Sequence, residues 1–149
     1  MKPSKIEIKN KKASFEYFLV EEYAAGIMLT GTEIKSIRAG KASISEAYCV
    51  FIGNELFVRN MHISQYSHAS FRNHEPKRDR KLLLTARELK KLKTRIEERG
   101  FTLVPVLLYI NEKGLAKLDI ALARGKKKYD KRESIKEKDV QRDLDRRGL

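Results

Sequence analysis

The stretch FTLVPVLLYINEKGLAKLDIALA, residues 101–123, decides the fold of this chain. Residues 101–110 are strongly apolar and β-branched and predict a strand, in which Pro105 indicates an edge position or a bulge. NEKG, residues 111–114, predicts a turn. Apolar and polar side chains then alternate over residues 115–123, as in a strand with one buried face. Together these features predict a long antiparallel hairpin.

Shorter β segments precede this hairpin. FEYFLVEE, residues 15–22, is aromatic and β-branched enough to predict a strand, and AAG, residues 24–26, offers a turn after it. AYCVFIGNELFV, residues 47–58, predicts two strands joined at Gly53-Asn54, because these residue types tolerate the positive φ of a tight hairpin turn. Residues 60–81 are polar and predict an extended connection with a loop centred on Pro76.

Two helices are predicted. TEIKSIRAG, residues 32–40, fits a short helix that Thr32 caps and Gly40 ends. The second helix lies within residues 82–100, where Thr85 and Glu88 have the spacing of a capping box and Gly100 stops the helix. Its apolar stripe consists of Leu89, Leu92 and Ile96.

In total the sequence predicts about six strands and two to three short helices, joined by hairpins and without an alternating βαβ order. This pattern predicts a mainly β fold, a small antiparallel barrel with peripheral helices. We expect two parts: a domain over residues 1–123 that binds its partner, and a basic C-terminal tail over residues 124–149. The tail has too few apolar residues for an independently stable helix, so we expect it to be disordered when free.

The charge balance indicates a polyanionic partner. The 149 residues contain 33 Lys and Arg against 20 Asp and Glu, a net charge of +13. Such a surplus favours nucleic acid, because each phosphate neutralised releases a counterion, although anionic membranes and acidic proteins attract it too. No apolar run approaches a membrane span, and MKPSKIEIKNKK lacks the apolar core of a signal peptide. The single Cys49, expected to be buried, fits a reducing compartment, so we expect a cytoplasmic protein.

No motif for catalysis or a cofactor is present in the sequence. His62, His68 and His74 lack the fourth ligand and the spacing of a zinc site, so surface or structural roles are expected. The acidic residues are scattered among Lys and Arg, which favours solvated ion pairs. We therefore expect no enzyme activity, no cofactor and no metal.

Three basic clusters suit nucleic-acid binding: KNKK at 9–12, EPKRDRK at 75–81 and RGKKKYDKR at 124–132. Each cluster by itself also fits a solvated face, but loops and termini at a barrel rim are where such folds bind nucleic acid. Nearby aromatic residues that can stack on bases are Phe15, Tyr17, Phe71 and Tyr129. Among three consecutive leucines, 82–84, Leu83 is a candidate for an exposed apolar contact.

The order of several motifs resembles the SsrA-binding protein family. NKKASFEYFL, GTEIKSIRAGKAS, RKLLL and GKKKYDKR follow one another in this chain, and the resemblance runs from about Asn10 to Asp139. It implies a bacterial RNA-binding protein with an oligonucleotide-binding-like (OB-like) β-barrel. Such proteins bind the tRNA-like domain of transfer-messenger RNA and deliver it to stalled ribosomes for trans-translation, in which the nascent peptide is tagged and the ribosome released. The resemblance also implies a tail that becomes helical in the decoding region and mRNA channel of the small subunit.

Position by position, the resemblance implies RNA contacts at Asn10, which precedes the first predicted strand, and at Leu83. Together with the basic clusters it predicts the RNA-binding set Asn10, Lys12, Tyr17, Glu33, Lys35, Arg38, Lys41, Arg78, Arg80, Lys81, Leu83, Gly125, Lys126 and Lys127. The expected ribosome-engaging tail residues are Lys128, Tyr129, Asp130, Lys131, Arg132, Ile135, Lys136, Lys138, Val140 and Arg142. We expect a monomer.

The chain departs from the family pattern at three positions. Many relatives have an RNA-linked Glu where this chain has Ala24, some have His at Tyr129, and some have Trp at Val140. Two other hypotheses remain open from the sequence. One is a generic single-strand-binding or ribosomal barrel protein, and the other is a nuclease that uses Glu33 or Asp79 with a divalent metal.

Overall fold

The computed structural model describes residues 6–67, 73–98 and 100–126, and within them the chain is mainly β. The strands are β1 Glu7–Lys9, β2 Tyr17–Ile27, β3 Ala42–Ser43, β4 Tyr48–Ile52, β5 Glu55–Arg59, β6 His62–Ile63, β7 Arg80–Leu83, β8 Phe101–Ile110 and β9 Ala116–Gly125. The helices are α1 Ala13–Glu16, α2 Gly31–Arg38 and α3 Ala86–Glu97.

Six antiparallel strands close into a ring. Their order is β8-β4-β5-β7-β2-β9, and β9 pairs back with β8, while β1 pairs with residues 107–109 of β8. The short strands β3 and β6 form a separate two-stranded sheet. This arrangement confirms the predicted mainly β fold and is consistent with an OB-like barrel carrying peripheral helices.

The predicted hairpin of residues 101–123 is confirmed, and its two strands, β8 and β9, close the ring. β8 and β9 pair from Phe101 with Arg124 to Ile110 with Ala116, and the register shifts between Pro105 and Leu107, as a bulge requires. Leu118, Ile120 and Leu122 are fully buried. The Asn111 side chain accepts hydrogen bonds from two backbone N–H groups of the turn, and Gly114 supplies the positive φ there.

The predicted turn at Ala24–Gly26 is wrong. β2 runs through these residues without interruption, because β9 pairs with it on one side and β7 on the other. The strand also starts at Tyr17 rather than at Phe15, since residues 13–16 form the short helix α1. These pairings join distant parts of the chain, and they outweigh the local preference of Ala and Gly.

The second prediction corrected by the structure is the cap of α2. Thr30, not Thr32, is the N-cap, and Glu33 completes a capping box with it. The predicted box of Thr85 and Glu88 at α3 is confirmed, as is the hairpin turn at Gly53, which has a φ of 64°. In α3 Leu92 is fully buried, and Leu89 and Ile96 pack partly against the core.

The connection over residues 60–81 contains more secondary structure than predicted, because it includes β6 and the start of β7. Cys49 lies in the core as expected, and burial raises the pKa of its thiol. None of the helices in the described ranges has the length and apolarity needed to cross a membrane.

Candidate nucleic-acid interface

A cluster we call the α1 corner gathers Asn10, Lys12, Tyr17, Gly125 and Lys126, all predicted to bind RNA. Tyr17 pairs with Gly125 where β2 starts and β9 ends, and the Lys126 N–H donates to the Glu16 carbonyl at 2.8 Å. The Lys126 ammonium also donates to the Ser14 carbonyl at 2.9 Å. β9 therefore extends two residues past the predicted domain boundary at Ala123, and its end is built into this corner.

Asn10 follows β1 instead of preceding the first strand, and its side chain is used by the fold. Its Nδ2 donates to the Pro105 carbonyl at 2.8 Å, and its Oδ1 accepts the Lys12 N–H at 3.2 Å. Asn10 therefore fastens the turn before α1 to the bulge of β8. The exposed Lys12 pairs with Glu46, and the hydrogen bond and charge of Glu46 raise the pKa of the Lys12 ammonium.

The exposed face of β2 connects the α1 corner with Leu83. We call it the β2 strip and define it as Phe18, Val20, Glu22 and Ala24, with Lys126 at one end and Leu83 at the other. Phe18 is 41% exposed, and the Lys126 ammonium lies 5.0 Å from its ring centroid. Eight residue steps along a strand, from Phe18 to Gly26, span about 26 Å. The strip is thus long enough for several nucleotides.

Leu83 is exposed, as the sequence predicted, with 49% of its surface accessible. It pairs with Gly26 of β2, and a Cβ added to Gly26 would lie 3.3 Å from the Leu83 Cβ. The absence of a side chain at Gly26 therefore allows Leu83 to pack closely against the backbone of β2. Lys81, two residues earlier, forms an exposed ion pair with Glu55 at 3.1 Å.

The middle of the β2 strip is less basic than its ends. Asp119 of β9 lies opposite Ala24, and burial is the largest cause that raises the pKa of its carboxyl. A hydrogen bond from Tyr109 opposes this shift, and the charge of Glu22 adds to it. Phosphates are therefore better accommodated at the two ends of the strip than at Glu22 and Asp119.

Three predicted basic residues lie outside the β2 strip. Lys35 and Arg38 are exposed on α2, and Lys41 follows it after Gly40. The Lys35 ammonium lies 5.3 Å from the ring centroid of Tyr66. These residues form a second basic area beside α2.

Glu33 and Arg80 are corrections to the predicted RNA-binding set. Both side chains are fully buried and pair with each other, and Arg78 also donates to Glu33 at 2.6 Å from Nη2. Burial alone would raise the pKa of Glu33, but hydrogen bonds from Arg78, the Thr30 N–H and Arg80 hold it below its ordinary value. Glu33 is thus not a solvated acid and neither buried group can reach RNA directly. Of the three, only Arg78, with its side chain 33% exposed, can do so.

The same network fixes the loop before β7. Arg80 donates to the carbonyls of Met61 at 2.7 Å and Pro76 at 3.1 Å. His74 is buried, and its Nε2 lies 2.9 Å from the Ile63 carbonyl while Nδ1 lies 2.9 Å from the Thr32 hydroxyl. His74 is therefore structural, as predicted. In the described residues no group of three or more His, Cys, Asp or Glu is arranged to hold a metal.

Comparison with known proteins decides the family. The family model described as SmpB protein matches residues 7–148. The chain belongs to the SmpB family. Similar SmpB relatives include the SsrA-binding proteins of Phocaeicola vulgatus, 61% identical over 98% of this chain and 97% of the relative, and of Bacteroides thetaiotaomicron, 60% identical with the same coverage. The SsrA-binding protein of Allorhizobium ampelinum is 52% identical over 96% of this chain and 90% of the relative.

A solved SmpB structure has a similar fold. It is described as "tmRNA-SmpB: a journey to the center of the bacterial ribosome", and it is 41% identical to this chain. The match has a TM-score of 0.70 and covers 87% of this chain and 94% of the solved one. The family resemblance found in the sequence is thereby confirmed.

The structure brings part of the predicted set together and adds to it. Phe18, which was not predicted, and Arg124, which was predicted only as part of the basic cluster at 124–132, belong with the α1 corner. The Arg124 guanidinium carbon lies 6.0 Å from the Phe18 ring centroid. The alternation of residues along β2 is the signal that could have placed Phe18 on the outer face. Lys127 and every predicted tail residue from Lys128 to Arg142 lie outside the described residues.

Proposed function

We propose that this chain binds the tRNA-like domain of transfer-messenger RNA and delivers it to stalled ribosomes for trans-translation, in the cytoplasm and without catalysis of its own. The observation that carries the proposal is the match, over nearly the whole chain, to relatives named SsrA-binding protein and to a tmRNA–SmpB structure. RNA capture is assigned to the β2 strip and the α1 corner.

The chemistry of these surfaces suits folded RNA. Lys12, Arg124 and Lys126 offer cations for phosphates, whereas Phe18 and Leu83 offer apolar surface on which an unpaired base can rest. A-form RNA hides its base edges in a deep, narrow major groove, so proteins recognise it by shape, phosphates and splayed loop bases. A surface with cations at the α1 corner and exposed apolar side chains at Phe18 and Leu83 matches that mode of recognition.

The positive potential extends beyond the strip through five more basic residues: Arg78, Lys81, Lys35, Arg38 and Lys41. Their part in the proposal is electrostatic attraction of the RNA, since exposed cations raise the association rate even without a fixed contact. Ala24 gives the middle of the strip a small neutral side chain where many relatives have an acid. We infer that this chain loses one polar contact there and compensates through the ends of the strip.

The segment after Lys126 is assigned to the ribosome. The basic residues of the predicted ribosome-engaging set, Lys128, Lys131, Arg132, Lys136, Lys138 and Arg142, suit a track of ribosomal RNA phosphates. Removal of residues 127–149 should leave RNA capture close to normal while abolishing tagging on stalled ribosomes. Cutting at this point, instead of after Ala123, keeps the β2–β9 pairing intact. Normal tagging by the truncated chain would refute the assignment.

The RNA-binding claim is tested by competition. Labelled tRNA-like domain is displaced from the full chain by unlabelled tRNA-like domain, by an unrelated hairpin of equal length, and by a single strand. We expect the tRNA-like domain to compete best and the log of affinity to fall by about 0.7–0.9 per phosphate contact for each log unit of salt. Equal competition by the hairpin contradicts the proposal, and a preference for the single strand favours a generic single-strand-binding protein.

The nuclease hypothesis has little support in the geometry. Glu33 is occupied by Arg78 and Arg80, and both oxygens of Asp79 accept hydrogen bonds from Arg59, at 3.3 and 3.1 Å. Carboxylates engaged by arginine are poorly placed to bind a divalent cation as well. Labelled RNA incubated with the protein and magnesium is therefore expected to remain intact.

A further inference from the structure

The part of β2 nearest to Leu83 carries almost no side chains. Ala24 has only a methyl group and Gly26 has none, and these two successive outward positions lie about 7 Å apart along the strand. On one side of β2 the exposed Leu83 pairs with Gly26, and on the other side Lys117 of β9 pairs with Gly26. We call the area formed by Ala24 and Gly26 the β2 floor, because taller side chains border it on both sides.

An acid and a base lie side by side where β9 borders the β2 floor. Asp119 is opposite Ala24, and Lys117 is opposite Gly26. Both residues alternate along β9 with the fully buried Leu118, so their side chains point away from the core. Both are partly exposed. A ligand on the β2 floor can therefore reach a carboxylate and an ammonium group on one side.

Neither of these charged groups has an ionic partner in the fold. The ion pairs among the described residues include neither Asp119 nor Lys117. The charge that acts on Asp119 is that of Glu22, which is also negative. An acid in this place repels RNA phosphates, so phosphate is not its ligand. The groups of RNA that a carboxylate can accept from are the N–H groups of bases and the ribose hydroxyl groups.

Tyr109 holds the Asp119 carboxylate in place. It lies on β8, where it pairs with Lys117, and its hydroxyl donates a hydrogen bond to Asp119. A carboxylate has about four acceptor sites on its two oxygens. The bond from Tyr109 therefore fixes the orientation of the carboxylate and leaves both oxygens able to accept from a ligand.

The Watson–Crick edge of guanine matches this pair of groups. It presents two adjacent donors, N1–H and the N2 amino group, which suit the two oxygens of a carboxylate, and the O6 acceptor beside them suits an ammonium group. Adenine and cytosine each place a ring nitrogen acceptor next to their amino group, and uracil has one N–H between two oxygens. These three bases offer a carboxylate one hydrogen bond at most. Unpaired loop bases are the ones that expose this edge to a protein.

We propose that Asp119 selects an unpaired guanine of the bound RNA, accepting hydrogen bonds from its N1–H and N2 amino groups while the ring lies over the β2 floor beside Leu83 and Lys117 donates to O6. The inference rests on the proposed function and deepens it, since the RNA is the same. Contacts to phosphates position a nucleic acid, whereas contacts to base edges specify it. The cations of the α1 corner thus provide affinity, and Asp119 provides selectivity.

The first test changes the RNA and leaves the full-length protein unaltered. Each unpaired guanine of the tRNA-like domain is replaced in turn by inosine, which lacks only the N2 amino group, and the dissociation constant is measured. At one position the substitution should weaken binding about ten-fold, because one hydrogen bond to a charged group is lost. At the other positions the affinity should stay close to that of the unmodified RNA. A series without any weakened position would overturn the proposal.

The second test compares two substitutions that each remove one negative charge from the same face. Asp119→Asn should weaken binding of the unmodified RNA by roughly ten- to 100-fold, because the bidentate contact to the base is lost. Glu22→Gln is the matched control, since Glu22 is an exposed acid of the β2 strip. It should leave the affinity unchanged or raise it, as expected for a weaker repulsion of phosphates. An Asp119→Asn protein that binds as tightly as Glu22→Gln contradicts the proposal.

Combining the two changes separates a direct contact from a general effect on the fold. With the Asp119→Asn protein, inosine at the sensitive position should cause no further loss, because the amino group it lacks has no carboxylate to bind. Binding is measured well below the melting temperature of each protein. A ten-fold loss from inosine that persists in Asp119→Asn would show that another residue contacts this guanine, and it would refute the assignment to Asp119.

Failure of this inference and failure of the proposed function give different results. The unrelated hairpin of equal length is titrated into the same protein samples. If Asp119 does not read a guanine, the parent and Asp119→Asn proteins both still bind the tRNA-like domain better than the hairpin, and to the same extent. If the proposed function is wrong, the parent protein itself lacks that preference.

Discussion

Replacing Glu33 with glutamine removes the negative charge at the centre of the buried network. The carboxylate accepts hydrogen bonds from Arg78, Arg80 and the backbone of Thr30. The amide of glutamine is similar in size, but its NH₂ group faces guanidinium donors instead of accepting from them. Arg80, whose side chain is fully buried, is left without a counter-charge.

The expected cost is large for a single substitution. Breaking a buried ion pair by removing one partner costs about 3–5 kcal/mol. A domain of this size is stable by roughly 5–15 kcal/mol, and each kcal/mol corresponds to about 2–4 °C in melting temperature, so the fall should be about 6–20 °C. The matched control is Glu55→Gln. That substitution breaks the exposed pair with Lys81 and should cost less than about 1 kcal/mol.

The assay is urea unfolding followed by circular dichroism, at neutral pH and in acid. In the folded state the pKa of Glu33 lies below its ordinary value, so the charged group stabilises the fold at neutral pH. That stabilisation is lost as pH falls below the unfolded pKa, about 4.3, and through the folded pKa. The difference between the parent and E33Q should therefore shrink in acid. An E33Q protein as stable at neutral pH as E55Q would refute this account of the network.

Three further predictions follow from single side chains. Leu83→Ala should lower affinity for the tRNA-like domain several-fold with little change in stability. Leu115→Ala, at a similarly exposed leucine between β8 and β9, should change neither affinity nor stability. A similar loss of affinity in both variants would remove the β2 strip from the interface. Cys49 should react with an alkylating reagent only when the protein unfolds, because burial raises the pKa of the thiol, and fast labelling of the native protein would contradict this. Burial and the hydrogen bond to Glu21 raise the pKa of Tyr23 to about 12. The contribution of the neutral Tyr23 side chain to the free energy of unfolding should therefore be complete below about pH 10, the pKa in the unfolded chain, and should be lost as the pH rises towards 12. Tyr23→Phe should abolish that part of the alkaline loss in a urea series, and an identical alkaline loss in both proteins would be inconsistent with it.

The parts of the fold that the sequence predicted are those that local chemistry determines. The β8–β9 hairpin follows from alternation within one short stretch, and the α3 cap depends on two residues, Thr85 and Glu88, three positions apart. The error at Ala24–Gly26 has the opposite origin. That stretch is extended because β9 pairs with all three residues and β7 pairs with Gly26, and both strands come much later in the chain.

The candidate site was predictable to a smaller extent. Leu83 was a candidate for an exposed contact, since three consecutive leucines cannot all face one core, and the structure places it on the surface. Glu33 and Arg80 were placed on the RNA surface because sequence alone does not show which charged residues find a buried partner. They are 47 positions apart, and only the docking of the loop before β7 onto α2 brings them together.

The central claim is that this chain captures one particular RNA, and the most direct measurement is the identity of the RNA that co-purifies with it from its own cells. We expect a single predominant RNA of transfer-messenger size with the parent protein. A variant altered at both ends of the β2 strip, Leu83→Asp with Lys126→Glu, should lose it. A mixture of unrelated RNAs, or unchanged recovery with that variant, would contradict specific capture of this RNA through the β2 strip.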